Sequence, residues 1–197
     1  MKMMAASIIA GWVWASALQA EERVVVKALS GRFEVVQSFQ VDGSQGDGVF
    51  SEWVRFREPP FHRVSLMGWA WPGIYSISRD ENWLFRTQKT GSGDSTAILY
   101  RIEDLGRVSE VIGFDEMIWR FSDAISRWKQ EDLYHTGVES IDWSADSSAL
   151  EITLKGSLAS KSGEGIVCGI RYDLKTIEPQ LLRLRMNREA ERVVDGR

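Results

Sequence analysis

Cysteine is almost absent from this sequence. Among 197 residues Cys168 stands alone, so an internal disulfide cannot form and a small domain stapled by disulfides is excluded. Positive charge is not in excess either, because 24 lysine and arginine residues face 28 acidic residues. A nucleic-acid binder that depends on phosphate contacts is therefore excluded. Repeated long apolar segments are also missing, which excludes a multi-pass membrane protein.

Residues with catalytic potential are equally scarce. His62 and His135 are the two histidines, and neither belongs to a metal-ligand spacing. A lone thiol such as Cys168 is ordinarily buried and inert. The Gly-Ser-Gly-Asp-Ser segment at 91–95 lacks the spacing of a nucleophile loop, which favours a flexible turn. We therefore expect no enzymatic activity, no bound metal and no cofactor.

The N-terminal segment has the order of a secretory signal peptide. One lysine precedes an apolar stretch, small residues follow, and an acidic pair comes next. The apolar stretch is shorter than the roughly 20 residues that a helix needs to span a bilayer. Cleavage after Ala20 is preferred, cleavage after Ala17 is an alternative, and an uncleaved anchor is another. The sequence thus predicts a periplasmic protein with a signal peptide at 1–20, a single domain at 21–188 and a charged tail at 189–197.

Hydrophobic periodicity predicts mostly strands. Apolar and polar residues alternate in many segments after Phe33, and the short connections between these segments favour antiparallel neighbours. A helical spacing runs from Phe114 to Trp128, and a shorter one lies within 21–31. The predicted fold class is α+β: a strongly curved antiparallel sheet, or half-barrel, with a short N-terminal helix and one longer helix on the concave side.

Tryptophan is unusually common, with nine residues, of which two belong to the predicted signal peptide. Several strands look apolar on both faces, as in Trp83-Leu84-Phe85. Either a second layer covers the additional face, or that face lines an apolar cavity. The pattern leaves both interpretations open.

Two short motifs and the order of elements resemble a known family. Arg57-Glu58-Pro59-Pro60-Phe61 looks like a strand ending in an Arg-Pro corner, and Asp80-Glu81-Asn82-Trp83 looks like a turn followed by its tryptophan. Over roughly residues 33–86 the chain resembles the periplasmic lipoprotein carriers, the LolA-like proteins with their LolB-like and LppX-like relatives. The resemblance implies a half-barrel plugged by helices, in which Arg57 contacts the helical lid.

The resemblance also implies a function. We expect a non-enzymatic periplasmic carrier or binding protein, whose ligands are lipoprotein acyl chains, other lipids or apolar molecules. It would exchange these ligands with a membrane-associated donor or acceptor protein. We expect no binding of nucleic acid. The residues predicted to line its cavity are Phe50, Trp53, Phe56, Trp83, Phe85, Phe114, Ile118, Phe121 and Trp128.

A second hypothesis needs no cavity. The segment Trp69-Ala70-Trp71-Pro72 predicts an exposed aromatic surface, which fits a structural or protein-interaction module of the envelope. Exposed tryptophans above fully packed sheets would favour this hypothesis.

Overall fold

A computed structural model describes residues 21–41, 48–59, 61–126, 128–158 and 164–188. The predicted signal peptide and charged tail lie outside the described residues. Within them the strands are β1 (Glu22–Lys27), β2 (Phe33–Val41), β3 (Gly48–Phe56), β4 (Arg63–Ser65), β5 (Ile74–Ile77), β6 (Trp83–Lys89), β7 (Ser95–Ile102), β8 (Val108–Glu110), β9 (Leu133–Trp143), β10 (Ala149–Leu158), β11 (Glu164–Asp173) and β12 (Glu178–Arg188), and the helix α1 spans Phe114–Ile125.

The strands form three antiparallel sheets of four strands each. The first sheet contains β1 to β4, the middle sheet β5 to β8 and the last sheet β9 to β12. In every sheet each strand pairs with its neighbour in the chain, because the connections are too short for crossovers.

The predicted half-barrel is therefore wrong. The strands are divided among three sheets, none of which is closed or strongly curled, and the described residues contain one α-helix rather than two. The predicted N-terminal helix is the strand β1, in which Val24 pairs with Val36 on β2. Three consecutive valines favour an extended backbone, and Gly31, with φ 82°, lies in the turn before β2 rather than ending a helix.

The longer predicted helix is present. It begins at Phe114, where Asp115 and Glu116 lie in the first turn, and it ends at Ile125, before Trp128. Asp115 also accepts a hydrogen bond of 2.7 Å from the backbone N–H of Ala97 on β7. The start of α1 is thereby tied to the middle sheet.

The middle sheet is packed on both faces. On one face Phe85 and Leu99 meet α1 and the buried side of the last sheet; we call this layer the helix core. On the opposite face Leu84 and Tyr100 meet the first sheet; we call this layer the sheet core. This arrangement explains why β6 is apolar on both faces.

Candidate interaction surface

The structure distributes the nine predicted lining residues among separate layers. Trp83, Phe85, Phe114 and Ile118 are buried together in the helix core, and Phe121 and Trp128 pack against its margin. The ring of Phe114 lies 6.3 Å from that of Phe85 and 4.9 Å from that of Tyr172, both edge-on. Such contacts are typical of a close-packed interior.

The three predicted residues of β3 belong elsewhere. Phe56 is buried in the sheet core, and Phe50 is half-buried on the same face of β3. Trp53 lies on the opposite face, where the guanidinium of Arg63 stands 5.2 Å from its ring. The nine residues therefore do not share one wall.

Arg57, the predicted lid contact, forms an ion pair within its own sheet. Its Nη2 lies 2.6 Å from Oε1 of Glu34, which Arg55 also binds at 2.5 Å. Burial acts to raise the pKa of Glu34, but hydrogen bonds and charge attraction from the two arginines outweigh it, so this pKa lies below its ordinary value. The partner that the structure gives Arg57 is thus a carboxylate on β2.

A second ion pair is entirely buried between the first and middle sheets. Glu52 on β3 and Arg86 on β6 form a hydrogen-bonded pair with no exposed side-chain surface. The Tyr75 hydroxyl donates to Glu52 at 2.8 Å, and burial raises the pKa of Tyr75, which keeps this donor protonated. Gln37 also donates to Glu52, at 2.5 Å, and Gln88 accepts from Arg86 at 2.5 Å. Charges so deeply buried persist only when they are paired and fully hydrogen-bonded.

This polar cluster holds the loop at 66–73, which we call the clamped loop, between β4 and β5. Four alternate carbonyls of the loop each accept a hydrogen bond of 2.8–3.0 Å from a donor outside it. The donor and acceptor pairs are Arg86 Nη1 to Met67 O, Phe50 N to Trp69 O, Gln88 Nε2 to Trp71 O, and Gln37 Nε2 to Gly73 O. The backbone of the loop is therefore fixed at every second residue.

The two ends of the clamped loop are held by Glu52 as well. Its backbone carbonyl accepts from Leu66 N–H, and its carboxylate accepts from Gly73 N–H, both at 2.8 Å. Gly73 has no room for a side chain, because an added Cβ would lie 2.6 Å from Nε of Arg86 and 3.0 Å from the ring of Tyr75.

This loop and the adjoining ends of β2 and β3 carry four aromatic side chains and one methionine. The rings of Phe39 and Phe50 lie 4.7 Å apart, and Trp69, which is half-buried rather than fully exposed, forms a backbone β-bridge with Phe50. Trp71 is 40% exposed and Met67 is 60% exposed. We call these five side chains the aromatic surface. The ammonium group of Lys89 stands 5.3 Å from the Trp71 ring and gives the surface a positive border.

Two other concave regions are built differently. A cleft of about 1100 Å³ between the middle and last sheets contains acids and bases together, among them Asp80, Arg101, Asp104, Arg107 and Asp146. A smaller cavity of about 300 Å³ lies beside Phe56, Arg57 and Phe61. The mixed charges of the larger cleft favour no particular ligand.

Comparison of the chain with protein-family models, curated proteins and solved structures gives no match. The LolA-like resemblance therefore stays a prediction. In the part of the chain that the structure describes, no group of three or more histidine, cysteine or acidic residues is placed to hold a metal ion. No helix among those residues is long and apolar enough to cross a membrane.

Sequence reasoning singled out Trp69 and Trp71 but missed the cluster beneath them. Glu52 lies between Phe50 and Val54 on the apolar face of β3, and Arg86 follows Leu84 on the matching face of β6. A charged residue at an inward-facing strand position was the available signal.

Proposed function

We propose that this chain is an exported, non-enzymatic interaction module, which binds a partner protein through the aromatic surface. The observation that supports it best is the clamping of the loop at 66–73, where a buried ion pair and two buried glutamines fix alternate backbone groups beneath exposed Trp71 and Met67.

The composition of the surface agrees with this function. Aromatic residues and methionine are enriched at protein interfaces, and a few of them usually supply most of the binding energy. A loop whose backbone is ordered before binding avoids the entropic cost of ordering that backbone on binding. Because Lys89 borders Trp71, the partner segment that fits is apolar with an adjacent carboxylate.

The carrier function receives less support from the same geometry. Holding acyl chains requires open apolar volume, whereas Phe85, Phe114 and Ile118 are in close contact within the helix core. The periplasmic location continues to depend on the N-terminal sequence alone.

Site-specific photo-crosslinking in the producing cell tests the proposal. A photoreactive phenylalanine derivative replaces Trp71 in one variant and Tyr134, which is 59% exposed on the last sheet, in a matched control. We expect a protein adduct at position 71 that is missing at position 134. With the partner identified and purified, Trp71→Ala should weaken binding by about 2 kcal/mol or more, as expected for an interface hot spot.

Three results would contradict the proposal. One is a similar set of adducts at both positions, and another is unchanged affinity in Trp71→Ala. The third is an adduct containing only lipid, together with acyl chains that co-purify with the native protein in mass spectrometry, which would favour the carrier function.

A further inference from the structure

The strand β12 forms one edge of the last sheet. It spans Glu178–Arg188 and pairs with β11, and no described strand pairs with its other side. Long edge strands present unpaired backbone groups that another strand can bind, and proteins usually shorten, cover or interrupt them. Here Pro179 interrupts the beginning of β12, and a bulge at Leu182 shifts its register with β11, so that Leu181 and Leu184 lie on the same face.

The apolar row of the helix core reaches this edge without being covered. Leu184 pairs with Cys168, and Leu181 pairs with Ile170. The two residues of β11 are fully buried, whereas Leu181 is 47% and Leu184 is 40% exposed. One more strand beside β12 would bury both leucines.

The opposite face of β12 is positively charged. Arg183 and Arg185 pair with Gly169 and Val167, and Val167 in turn pairs with Lys155 on β10. Arg183 donates to the hydroxyl of Thr153 at 3.2 Å. Neither Arg183 nor Arg185 forms an ion pair with a residue that the structure describes. Among the described residues, this face therefore carries positive charge without an acidic partner, beside a backbone edge that no described strand pairs with.

From these observations we propose that β12 accepts an added strand from a partner protein, whose side chains alternate between apolar and acidic. Apolar residues of the added strand cover Leu181 and Leu184, and acidic residues pair with Arg183 and Arg185. Backbone hydrogen bonds along the edge supply affinity that is independent of sequence. A second copy of β12 fits poorly, because antiparallel pairing would bring the arginines of both copies onto the same face.

Peptide binding tests this assignment. The probes are labelled peptides of about ten residues, matching a typical strand, in which valine alternates either with glutamate or with lysine. By fluorescence anisotropy we expect the valine–glutamate peptide to bind at least about ten-fold more tightly than the valine–lysine peptide. Added salt should reduce the difference, and hydrogen exchange should show new protection of β12 amides.

Charge reversal provides the decisive comparison. The double variant Arg183→Glu, Arg185→Glu should prefer the lysine peptide, whereas Lys175→Glu, in the exposed turn before β12, should keep the original preference. Trp71→Ala should also keep the original peptide preference, because the aromatic surface takes no part in this binding. A result that contradicts the role of β12 can therefore be distinguished from one that contradicts the proposed function of the aromatic surface. Thermal unfolding checks that each variant is folded.

Several results would overturn the proposal. These are equal affinity for the two peptides, no binding of either, a preference that survives charge reversal, and peptide protection located away from β12. Self-association of the chain through β12 in sedimentation experiments would also overturn it, because the added strand would then come from a second copy of the chain.

Discussion

Glu52 and Arg86 show how a single buried pair can fix a surface. Each lies at an inward-facing position of its strand, and glutamine, tyrosine and backbone groups form hydrogen bonds with their remaining polar atoms. Such a pair adds little net stability when compared with a packed apolar pair, but removing one partner leaves a buried charge unpaired. Its value here lies in orienting the clamped loop.

Substituting Arg86 by methionine tests this reasoning. Arg86→Met leaves the Glu52 carboxylate buried without its counter-ion and removes the donor to Met67 O. We expect the free energy of unfolding in urea to fall by about 3–5 kcal/mol. Arg101→Met, on the same sheet, removes an exposed guanidinium 5.8 Å from the Trp83 ring and should cost under about 1 kcal/mol. Similar losses in the two variants would contradict the role assigned to the pair.

Glu34 gives the molecule a defined acid sensitivity. Its pKa is lowered in the folded state by Arg55 and Arg57, so the unfolded chain takes up its proton first as the pH falls. The stability from Glu34 is therefore complete above its unfolded pKa of 4.5 and is lost as the pH drops through the lower folded value.

The variant Glu34→Gln should accordingly be less stable at pH 7 and should lose less stability than the native protein between pH 5 and 3. Urea titrations at a series of pH values measure this. Glu139→Gln, at an exposed position of β9, is the control and should retain the native pH profile. Parallel profiles for the native protein and Glu34→Gln would show that the arginine pairs do not act as described.

At the scale of elements, the clamped loop has a specific structural requirement at Gly73. In Gly73→Ala the new Cβ would lie 2.6 Å from Arg86, so the guanidinium has to move and its bonds to the loop weaken. We expect the amide of Phe50, which donates to Trp69 O, to exchange at least about ten-fold faster, a change of ~1.4 kcal/mol. Gly91→Ala is a matched control, because its Cβ would meet Asp94 at an ordinary 3.4 Å. Equal exchange in both variants would disprove the steric argument.

The sequence predicted individual strands better than it predicted sheets. Alternation on β10 and β11 placed Leu150, Ile152, Cys168 and Ile170 on one buried face, as the structure has them. A period of two, however, does not indicate which strands share a sheet, so three meanders were predicted as one curved sheet. Near the start of the described residues, a four-residue spacing of apolar residues predicts a helix. The segment is instead the strand β1, because it pairs with β2 and contains a run of valines that favours extended backbone.

The candidate site shows the same limit. Exposure of Trp71 could be predicted from its position in a Trp-Pro-Gly turn, because local sequence governs turns. The cluster below it depends on two sheets facing each other, since Glu52 and Arg86 are 34 positions apart. Local pattern contains no information about such a distant partner.

At the scale of the whole molecule, the shared middle sheet should couple the two cores. Strands β6 and β7 supply Phe85 and Leu99 to the helix core, and Leu84 and Tyr100 to the sheet core. If either core opens, one face of this sheet is exposed to water. We therefore expect one cooperative unfolding transition for both layers.

The lone thiol reports on this coupling. Cys168 is fully buried in the helix core, and burial raises its pKa, so a thiol reagent should label it only after unfolding. In a urea series the midpoint of Cys168 labelling should coincide with that of circular dichroism. Arg86→Met, which disturbs the opposite layer, should lower both midpoints equally. If Cys168 becomes reactive at a lower urea concentration than that at which the sheet signal is lost, the helix core opens independently and the layers are not coupled.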